Sequence, residues 1–466
     1  MSVAAKQNVS SNEQNQKTKH PPGLYLLFAT EAWERFSYYG MRALLVLYLT
    51  TSVVQGGLGF KDAWALQLYG LFTGLVYFTP IIGGWLTDNF IAKRFAITLG
   101  GIIMAIGNIT LFGINSTTGL YIGLILLIIG NGFFKPNIST LVGELYEKDD
   151  PRRDGAFTIF YMGINLGALF APLVTGYIAQ SLFFNANGAG KADDLYGYRF
   201  GFLAAAIGMI IGQIIFNILA KKYLGDLGTK PNVKALKESN NAVDKSIPLT
   251  KKEKQRTTVI FILAAFVVFF WAGFEQAGSS LTLYTDRFID LSIGSFNVPS
   301  TWFQSVNPLF IILFAPVLST IWIKLAQKNK NISVPAKMAM GIILLGIGFT
   351  FTIIAVLKTG SDPNHITVKA NMMFMILTYF FHTIGELVLS PVGLSAVSRY
   401  APVKLASLLM GVWLSSSFFA NLLAGKLAAM TATLGMLEIY LYIGGLAVGL
   451  GLVLLALSPK LAKMLD

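Results

Sequence analysis

Four ionisable side chains lie within residues 31–43, EAWERFSYYGMRA, in a stretch that is otherwise apolar enough to enter a bilayer. A charged side chain at the centre of a membrane helix costs about 2.5–3.5 kcal/mol on insertion scales. At about 100° per helical residue, Glu31, Glu34, Arg35 and Arg42 fall on one stripe together with Tyr38. We expect this stripe to face a bundle interior or a water-filled cavity, where it could bind a charged ligand or a proton.

Three further ionisable residues lie in other apolar segments: Lys135 in GNGFFKPNIS, Glu275 in FWAGFEQAGSS and Glu386 in IGELVLSPVGLS. The set holds four acids and three bases, so a single bound proton would neutralise it. Static ion pairing is the alternative, but buried pairs stabilise a fold poorly once desolvation is counted. From depth along the helices we expect an inner cluster (Glu31, Glu34, Arg35, Lys135), a middle acid (Glu386) and an outer pair (Arg42, Glu275).

The composition is that of a polytopic membrane protein. The 466 residues are 54% hydrophobic and 13% charged, with a mean hydropathy of +0.61, which excludes an ordinary soluble or disordered chain. There is no cysteine, so disulfides, thiolate metal sites and cysteine nucleophiles are excluded, and three histidines make an imidazole metal site unexpected. The net charge of +13 would suit nucleic acid, but excess Lys and Arg in a membrane protein usually collects in cytoplasmic loops.

Twelve apolar runs approach or exceed the roughly 20 residues that a helical span requires. They lie near 24–50, 64–87, 96–115, 118–146, 155–180, 199–224, 257–284, 301–325, 336–357, 370–400, 406–432 and 436–458. Basic residues concentrate in alternate connections, which places both termini in the cytoplasm by the positive-inside rule. We therefore expect a disordered tail, a six-helix half, a cytoplasmic linker, a second six-helix half and a short tail: 1–22, 23–224, 225–256, 257–459 and 460–466.

This layout of six spans plus six is typical of secondary transporters that hold their substrate near the midplane between two related halves. A channel or a membrane enzyme fits the span count as well. Prolines and glycines inside the apolar segments favour helices that kink and move. Asn165 and Asn307 are amides in apolar surroundings, and each could form a helix-to-helix hydrogen bond or contact a substrate.

The stretch EAWERFSYYGMRA resembles the ExxERFxYYGMR signature of the proton-coupled oligopeptide transporters, the POT family of the major facilitator superfamily. Four further stretches are similar to family regions of the fourth, fifth, eighth and tenth spans: GNGFFKPNISTLVGELY, RRDGAFTIFYMGINLGALFAPL, WFQSVNPLFI and GELVLSPVGLS. GGWLTDNFIAKR resembles the superfamily's loop motif between spans two and three. The resemblance covers about residues 22–458 and implies an all-α polytopic membrane protein of the major facilitator fold, with twelve transmembrane helices in two six-helix halves.

The resemblance also implies a role for each matching residue. The carboxylate of a peptide is expected at Arg35, Arg42 and Lys135. Its ammonium is expected at Glu386, helped by Asn165 and Asn307. The other expected roles are pocket walls (Tyr38, Tyr39, Tyr77, Trp271, Trp413), a proton-coupling network (Glu31, Glu34, Arg35, Lys135, Glu275) and a cytoplasmic loop latch (Asp88, Lys93, Arg94).

Three features depart from the family pattern. The linker is too short and polar for the two additional helices that many bacterial members carry, so we expect none there. Those members often show two consecutive acids in the seventh span, whereas Phe274 precedes a single Glu275 here. Eukaryotic relatives that use a histidine in the second span give no guide, because no histidine lies in that segment.

The resemblance implies a proton-coupled symporter that imports di- and tripeptides by alternating access in a bacterial-type plasma membrane, surrounded by lipid and without enzyme activity, cofactor or metal. Two alternatives stay open: the same fold carrying nitrate, an amino acid or another small solute, and a receptor that binds peptide without transport. Glu386 argues against a bare anion, because its carboxylate needs a cationic partner. GNGFFKPN lacks the GK[ST] ending of a phosphate loop, so no nucleotide is expected, and the basic 225–256 loop suits anionic lipid better than nucleic acid.

Overall fold

The computed structural model describes residues 19–147, 149–182, 197–231, 248–362 and 365–465. Within these residues the chain is almost entirely helical, and twelve of its α-helices have between 21 and 30 residues. The helices are α1 (Pro22–Thr50), α2 (Asp62–Asn89), α3 (Lys93–Gly113), α4 (Thr117–Glu144), α5 (Arg153–Tyr177), α6 (Gly197–Leu224), α7 (Lys251–Phe274), α8 (Ser280–Phe288), α9 (Val306–Gln327), α10 (Val334–Thr359), α11 (Met373–Tyr400), α12 (Ala406–Leu434) and α13 (Met436–Leu465).

Eleven helical segments within the described residues are long and apolar enough to cross a membrane. In this set of eleven, α7 and α8 form one segment, and α1 is not included. The reason is the charge of α1, because Glu31, Glu34, Arg35 and Arg42 interrupt its apolar sequence. With 29 residues and a face packed against α5 and α6, α1 is nevertheless the twelfth long helix of the bundle.

Each predicted span corresponds to one long helix or, for the seventh, to α7 and α8 together. The ends differ, because hydropathy marks the apolar stretch whereas caps and hydrogen bonds set the helix. α7 begins six residues earlier than the predicted span, at Lys251, where Thr250 and Glu253 form a capping box. α13 continues to Leu465, so most of the tail predicted at 460–466 is helical.

Part of the predicted organisation lies outside the described residues. The disordered tail falls almost wholly on residues 1–18, and the absence of additional linker helices falls largely on 232–247. Within the linker predicted at 225–256, the structure describes a turn at 225–231 and the extended residues 248–250 that precede α7.

The buried apolar residues form two clusters that follow the two halves of the chain. One cluster comes from α1–α6, and its buried members from the second half are Leu283, Ala428 and Ala429. The other cluster comes from α7–α13 and their connections. We call the end of the bundle opposite the start of α1 and the end of α13 the distal end. Four two-residue strands lie there, with β1 (Ile289–Asp290) parallel to β4 (Ala370–Asn371) and β2 (Ser292–Ile293) antiparallel to β3 (Phe296–Asn297).

The two halves pack against each other toward the distal end. α5 meets the 3₁₀ turn before α9, where Trp302 Nε1 donates to Leu173 O at 3.0 Å and Ser305 Oγ donates to Leu169 O at 2.7 Å. On the opposite side α2 meets α12 so closely that a Cβ on Gly70 would lie 2.5 Å from Gly425 Cα. A glycine is required there because the two backbones touch.

Candidate functional site

The charged stripe of α1 begins with a compact ionic cluster. Arg35 Nε lies 3.0 Å from Glu31 Oε1 and also donates to Glu34, and all three side chains are buried. Asn131 Nδ2 of α4 lies 3.4 Å from the second carboxylate oxygen of Glu34. Among the described residues, Glu31 Oε2 and Arg35 Nη2 have no hydrogen-bond partner. The cluster therefore retains one buried acceptor and one buried donor for water, a proton or a ligand.

Lys135 of α4 was expected within this cluster, and the structure places its ammonium against an aromatic ring instead. Lys135 Nζ lies 4.3 Å from the centre of the Tyr77 ring. The charges that act on it still include Arg35, Glu34 and Glu31, so it remains an electrostatic neighbour of the cluster. The ring attracts the ammonium, which forms no ion pair with a described residue.

Arg42 and Glu275 join the two halves. Their side chains form an ion pair, and Arg42 Nε also donates to the Tyr69 hydroxyl at 2.6 Å. Glu275 can reach Arg42 because α7 ends at Phe274 and the chain continues as a 3₁₀ turn through Gly278. A Cβ on Gly278 would lie 1.9 Å from the Tyr69 hydroxyl oxygen, so this close approach of α2 requires glycine.

Glu386 of α11 is held by the start of α9. Asn307 Nδ2 donates to Glu386 Oε2 at 2.8 Å and lies 3.0 Å from the Thr383 hydroxyl. The Asn307 amide thus forms a helix-to-helix hydrogen bond. The Asn165 amide instead donates at 2.9 Å to the carbonyl of Tyr161 on its own helix. The Asn307 amide orients one carboxylate oxygen of Glu386, and no ion pair to a described residue neutralises that carboxylate.

Tyr39 lies near charged residues of both halves. The charges acting on its hydroxyl are Arg35 and Arg42 from the first half and Glu275 and Glu386 from the second. Tyr39 and Tyr77 are half-buried, as is Asn307.

The remaining predicted walls are aromatic. Trp271 is half-buried and meets the rings of Phe270 and Phe274 edge-on, with centroids 5.3 and 5.1 Å away. Trp413 is 8% exposed and packs so tightly on α11 that a Cβ on Gly393 would lie 2.4 Å from its ring. Tyr38 is fully buried, and its hydroxyl finds no partner among the described residues.

The residues of the predicted loop latch do not contact one another in this conformation. Lys93 forms an ion pair with Glu144 instead, and Arg94 Nη2 donates to Gly225 O at 2.7 Å. The Asp88 side chain forms no hydrogen bond or ion pair with a described residue. Both contacts lie opposite the distal end, where α2, α4 and α6 end.

Several supporting residues were not predicted. Tyr69 positions Arg42, Asn131 supports Glu34 and Thr383 lies beside Asn307. Each is a polar residue inside an apolar span, which is the only signal that the sequence offers for it. Within the described residues, no group of three or more His, Asp or Glu side chains is placed to hold a metal ion.

The chain is similar to known proteins over nearly its whole length. The family model described as the POT family matches residues 94–247 and 229–440. The uncharacterized transporter YclF of Bacillus subtilis is 36% identical over 488 residues and 95% of each chain, and the peptide transporter YePEPT of Yersinia enterocolitica is 31% identical over 465 residues and 87% of each chain. A solved mutant of a peptide transporter POT in complex with alafosfalin has a TM-score of 0.84 and 33% identity, covering 96% of each chain.

This chain belongs to the POT family. As a POT family member it is a secondary transporter and not an enzyme, and its apolar spans make it a multi-pass membrane protein. The similarity to the solved POT structure extends over nearly the whole chain and shows the major facilitator type of fold. The predicted family and fold class are therefore confirmed, while the roles of the individual site residues stay predictions.

Proposed function

We propose that this POT family protein is a proton-coupled symporter that imports di- and tripeptides by alternating access. The observation that carries the proposal is that charges of both halves converge near Tyr39, with Arg35 and Arg42 from the first half and Glu275 and Glu386 from the second. A zwitterionic peptide has charged ends separated by a backbone of nearly constant length. Such a peptide would bind through its ends alone, and side chains of many kinds would be accepted.

The peptide carboxylate is proposed to bind Arg35, Arg42 and Lys135. Arg35 Nη2 has no partner among the described residues, and the Lys135 ammonium rests on an aromatic ring. A guanidinium fork matches a carboxylate in geometry, and the ammonium adds a point charge. The peptide ammonium would bind Glu386, whose carboxylate is oriented by Asn307 and carries no described counter-charge.

The proton is proposed to be carried by the buried acids. Glu275 exchanges a proton against Arg42 when the distal end opens and their ion pair breaks, and Glu31 and Glu34 respond to the occupancy of Arg35. One proton that moves down 100 mV and one pH unit releases about 3.7 kcal/mol, which supports accumulation of a neutral peptide on the order of 500-fold. No cofactor and no nucleotide is needed.

The orientation follows from charge. Lys and Arg concentrate in the connections on the side of the termini, so we propose that both termini are cytoplasmic in a bacterial-type plasma membrane and that the distal end faces outside. Because the contacts between the halves lie at the distal end, the structure then represents an inward-facing conformation. The relatives support peptide as the cargo, since the Yersinia protein is named a peptide transporter.

The test is uptake of labelled dialanine into proteoliposomes under an imposed inward proton gradient, with nitrate and free alanine as parallel substrates. We expect dialanine to accumulate above its external concentration and the other two to remain at background. Accumulation of nitrate or alanine without dialanine would contradict the proposed cargo. Saturable dialanine binding without flux would contradict transport itself.

A further inference from the structure

A polar cavity of about 890 Å³ lies at the distal end, between loops of both halves. Its wall includes Gln180 from the π-helical end of the fifth span, Asp286 at the end of α8, Asp290 of β1 and Lys369 just before β4. The volume falls within the roughly 300–1,000 Å³ that small-molecule sites occupy. We call this cavity the distal vestibule. It is separate from the buried charges around Tyr39, none of which lines it.

Two neighbouring residues at the end of α8 join the second half to two different helices of the first. Arg287 donates through both terminal nitrogens to Asp62 at the start of α2, at 2.5 and 2.9 Å. Asp286 Oδ1 accepts from Gln180 Nε2 at 3.3 Å. Because Asp286 and Gln180 also line the vestibule, a ligand bound there acts directly on a contact that closes the distal end.

Asp286 keeps capacity for a ligand. Its Oδ1 accepts a second bond from Ser300 Oγ at 2.6 Å, while Oδ2 accepts none from a described residue. Lys369 acts electrostatically on both Asp286 and Asp290, and it forms no ion pair with either. The vestibule thus presents carboxylates and an ammonium in one cavity, which is the complement of a zwitterion.

We propose that the distal vestibule is a first docking site for an incoming zwitterionic peptide, whose ammonium binds Asp286 and whose carboxylate binds Lys369. This inference rests on the proposed peptide import. A peptide ammonium can donate to both carboxylate oxygens of Asp286, and at Oδ1 its charge-assisted hydrogen bond competes with the long, neutral bond from Gln180. Gln180 also bonds to Ser300 and Thr301, so docking loosens the distal closure and favours its opening without releasing it outright.

A docking site at the distal end should affect peptide binding from the outside only. A vestibule at the distal end affects the capture of external peptide, and it leaves the affinity of the inward-facing cavity unchanged. The variant Asp286→Asn removes the charge and keeps an amide oxygen that can accept from Ser300 and Gln180, so the fold and the closure are preserved. Asp290→Asn is the matched control, because Asp290 lines the same cavity but forms no hydrogen bond or ion pair with a described residue of the first half.

The experiment compares the KM for external dialanine in cells with the Kd for dialanine of the purified protein, measured by thermal shift. We expect Asp286→Asn to raise the external KM about tenfold, from the loss of one charge-assisted bond, and to change the Kd less than about twofold. Asp290→Asn should change both by less than about twofold, and Asp286→Glu should restore a KM close to that of the wild type.

An unchanged external KM in Asp286→Asn would overturn the docking site. An equal rise of KM and Kd would overturn it too, because it would show a general structural defect. Both outcomes require that the wild-type protein transports dialanine, so they are distinguishable from a failure of the proposed function, in which the wild type itself shows no uptake.

Discussion

Replacing Glu275 by glutamine should separate peptide movement from proton movement. Arg42 and Glu275 are 8% and 6% exposed, and their ion pair bridges the two halves. Removing one partner of a buried pair costs about 3–5 kcal/mol, because it leaves an uncompensated charge. The glutamine oxygen still accepts a hydrogen bond, so we expect the lower value, about 3 kcal/mol, which shifts the balance between closed and open distal states on the order of 100-fold.

The assay uses proteoliposomes with a proton gradient of one pH unit and a potential of 100 mV. With about 3.7 kcal/mol available from one proton, we expect the wild-type protein to accumulate dialanine up to roughly 500-fold. Glu275→Gln cannot take up a proton at this position, so its accumulation ratio should fall to about 1 under the same gradient. Counterflow of labelled against unlabelled dialanine requires no net proton movement and should persist, reduced by no more than about tenfold.

Glu438→Gln is the matched control, because Glu438 is an exposed carboxylate in the first turn of α13 and pairs with no described residue. It should accumulate dialanine as the wild type does. Wild-type accumulation by Glu275→Gln would refute the reasoning, because Glu275 would then not carry the coupled proton. Loss of both accumulation and counterflow would refute it as well, since the pair would be needed for the fold or the cycle as a whole.

Two further substitutions test the closure and the ammonium site. Gly176→Ala places a Cβ 1.9 Å from Thr301 Oγ1, and this overpacking costs about 1–3 kcal/mol. It should widen the distance between spin labels on the distal loops, and adding Thr301→Ala should partly restore that distance. An unchanged distance would mean that α5 does not close the distal end. Asn307→Ala removes the hydrogen bond to Glu386 and should weaken dialanine binding about tenfold in calorimetry, while Asn217→Ala, whose amide bonds to Gln213 of its own helix and to Thr98 of α3, away from Glu386, should not; equal affinities would exclude Asn307 from the site.

The sequence predicts the long helices well because a span must be apolar over a fixed length, and this requirement is local. The ends of α7 and α13 are predicted less well, since Lys251 and Leu465 lie in polar or interfacial segments where hydropathy changes before the helix does. Glycines in the seventh span predict a helix that kinks, but they do not place the break after Phe274. The approach of Tyr69 to Gly278 is a contact between distant segments, which the sequence does not reveal.

The candidate site is likewise predicted only in part from the sequence. Charge in an apolar span is visible in the sequence, so Glu31, Arg42 and Glu275 stand out at once. The partner that each residue takes is decided by packing. Arg42 meets Glu275, whereas Lys135 rests on Tyr77. The contact of Asp286 with Gln180 lies beyond sequence reasoning, because it joins the ends of two helical segments from different halves.

The central claim is that peptide and proton cross the membrane together through the charges around Tyr39. The most direct measurement is the internal pH of proteoliposomes, clamped at a negative potential, while dialanine is added outside. We predict that dialanine acidifies the interior and that N-acetyl-dialanine amide, which lacks both charged ends, does not. Labelled dialanine that enters without any change of internal pH would contradict the account.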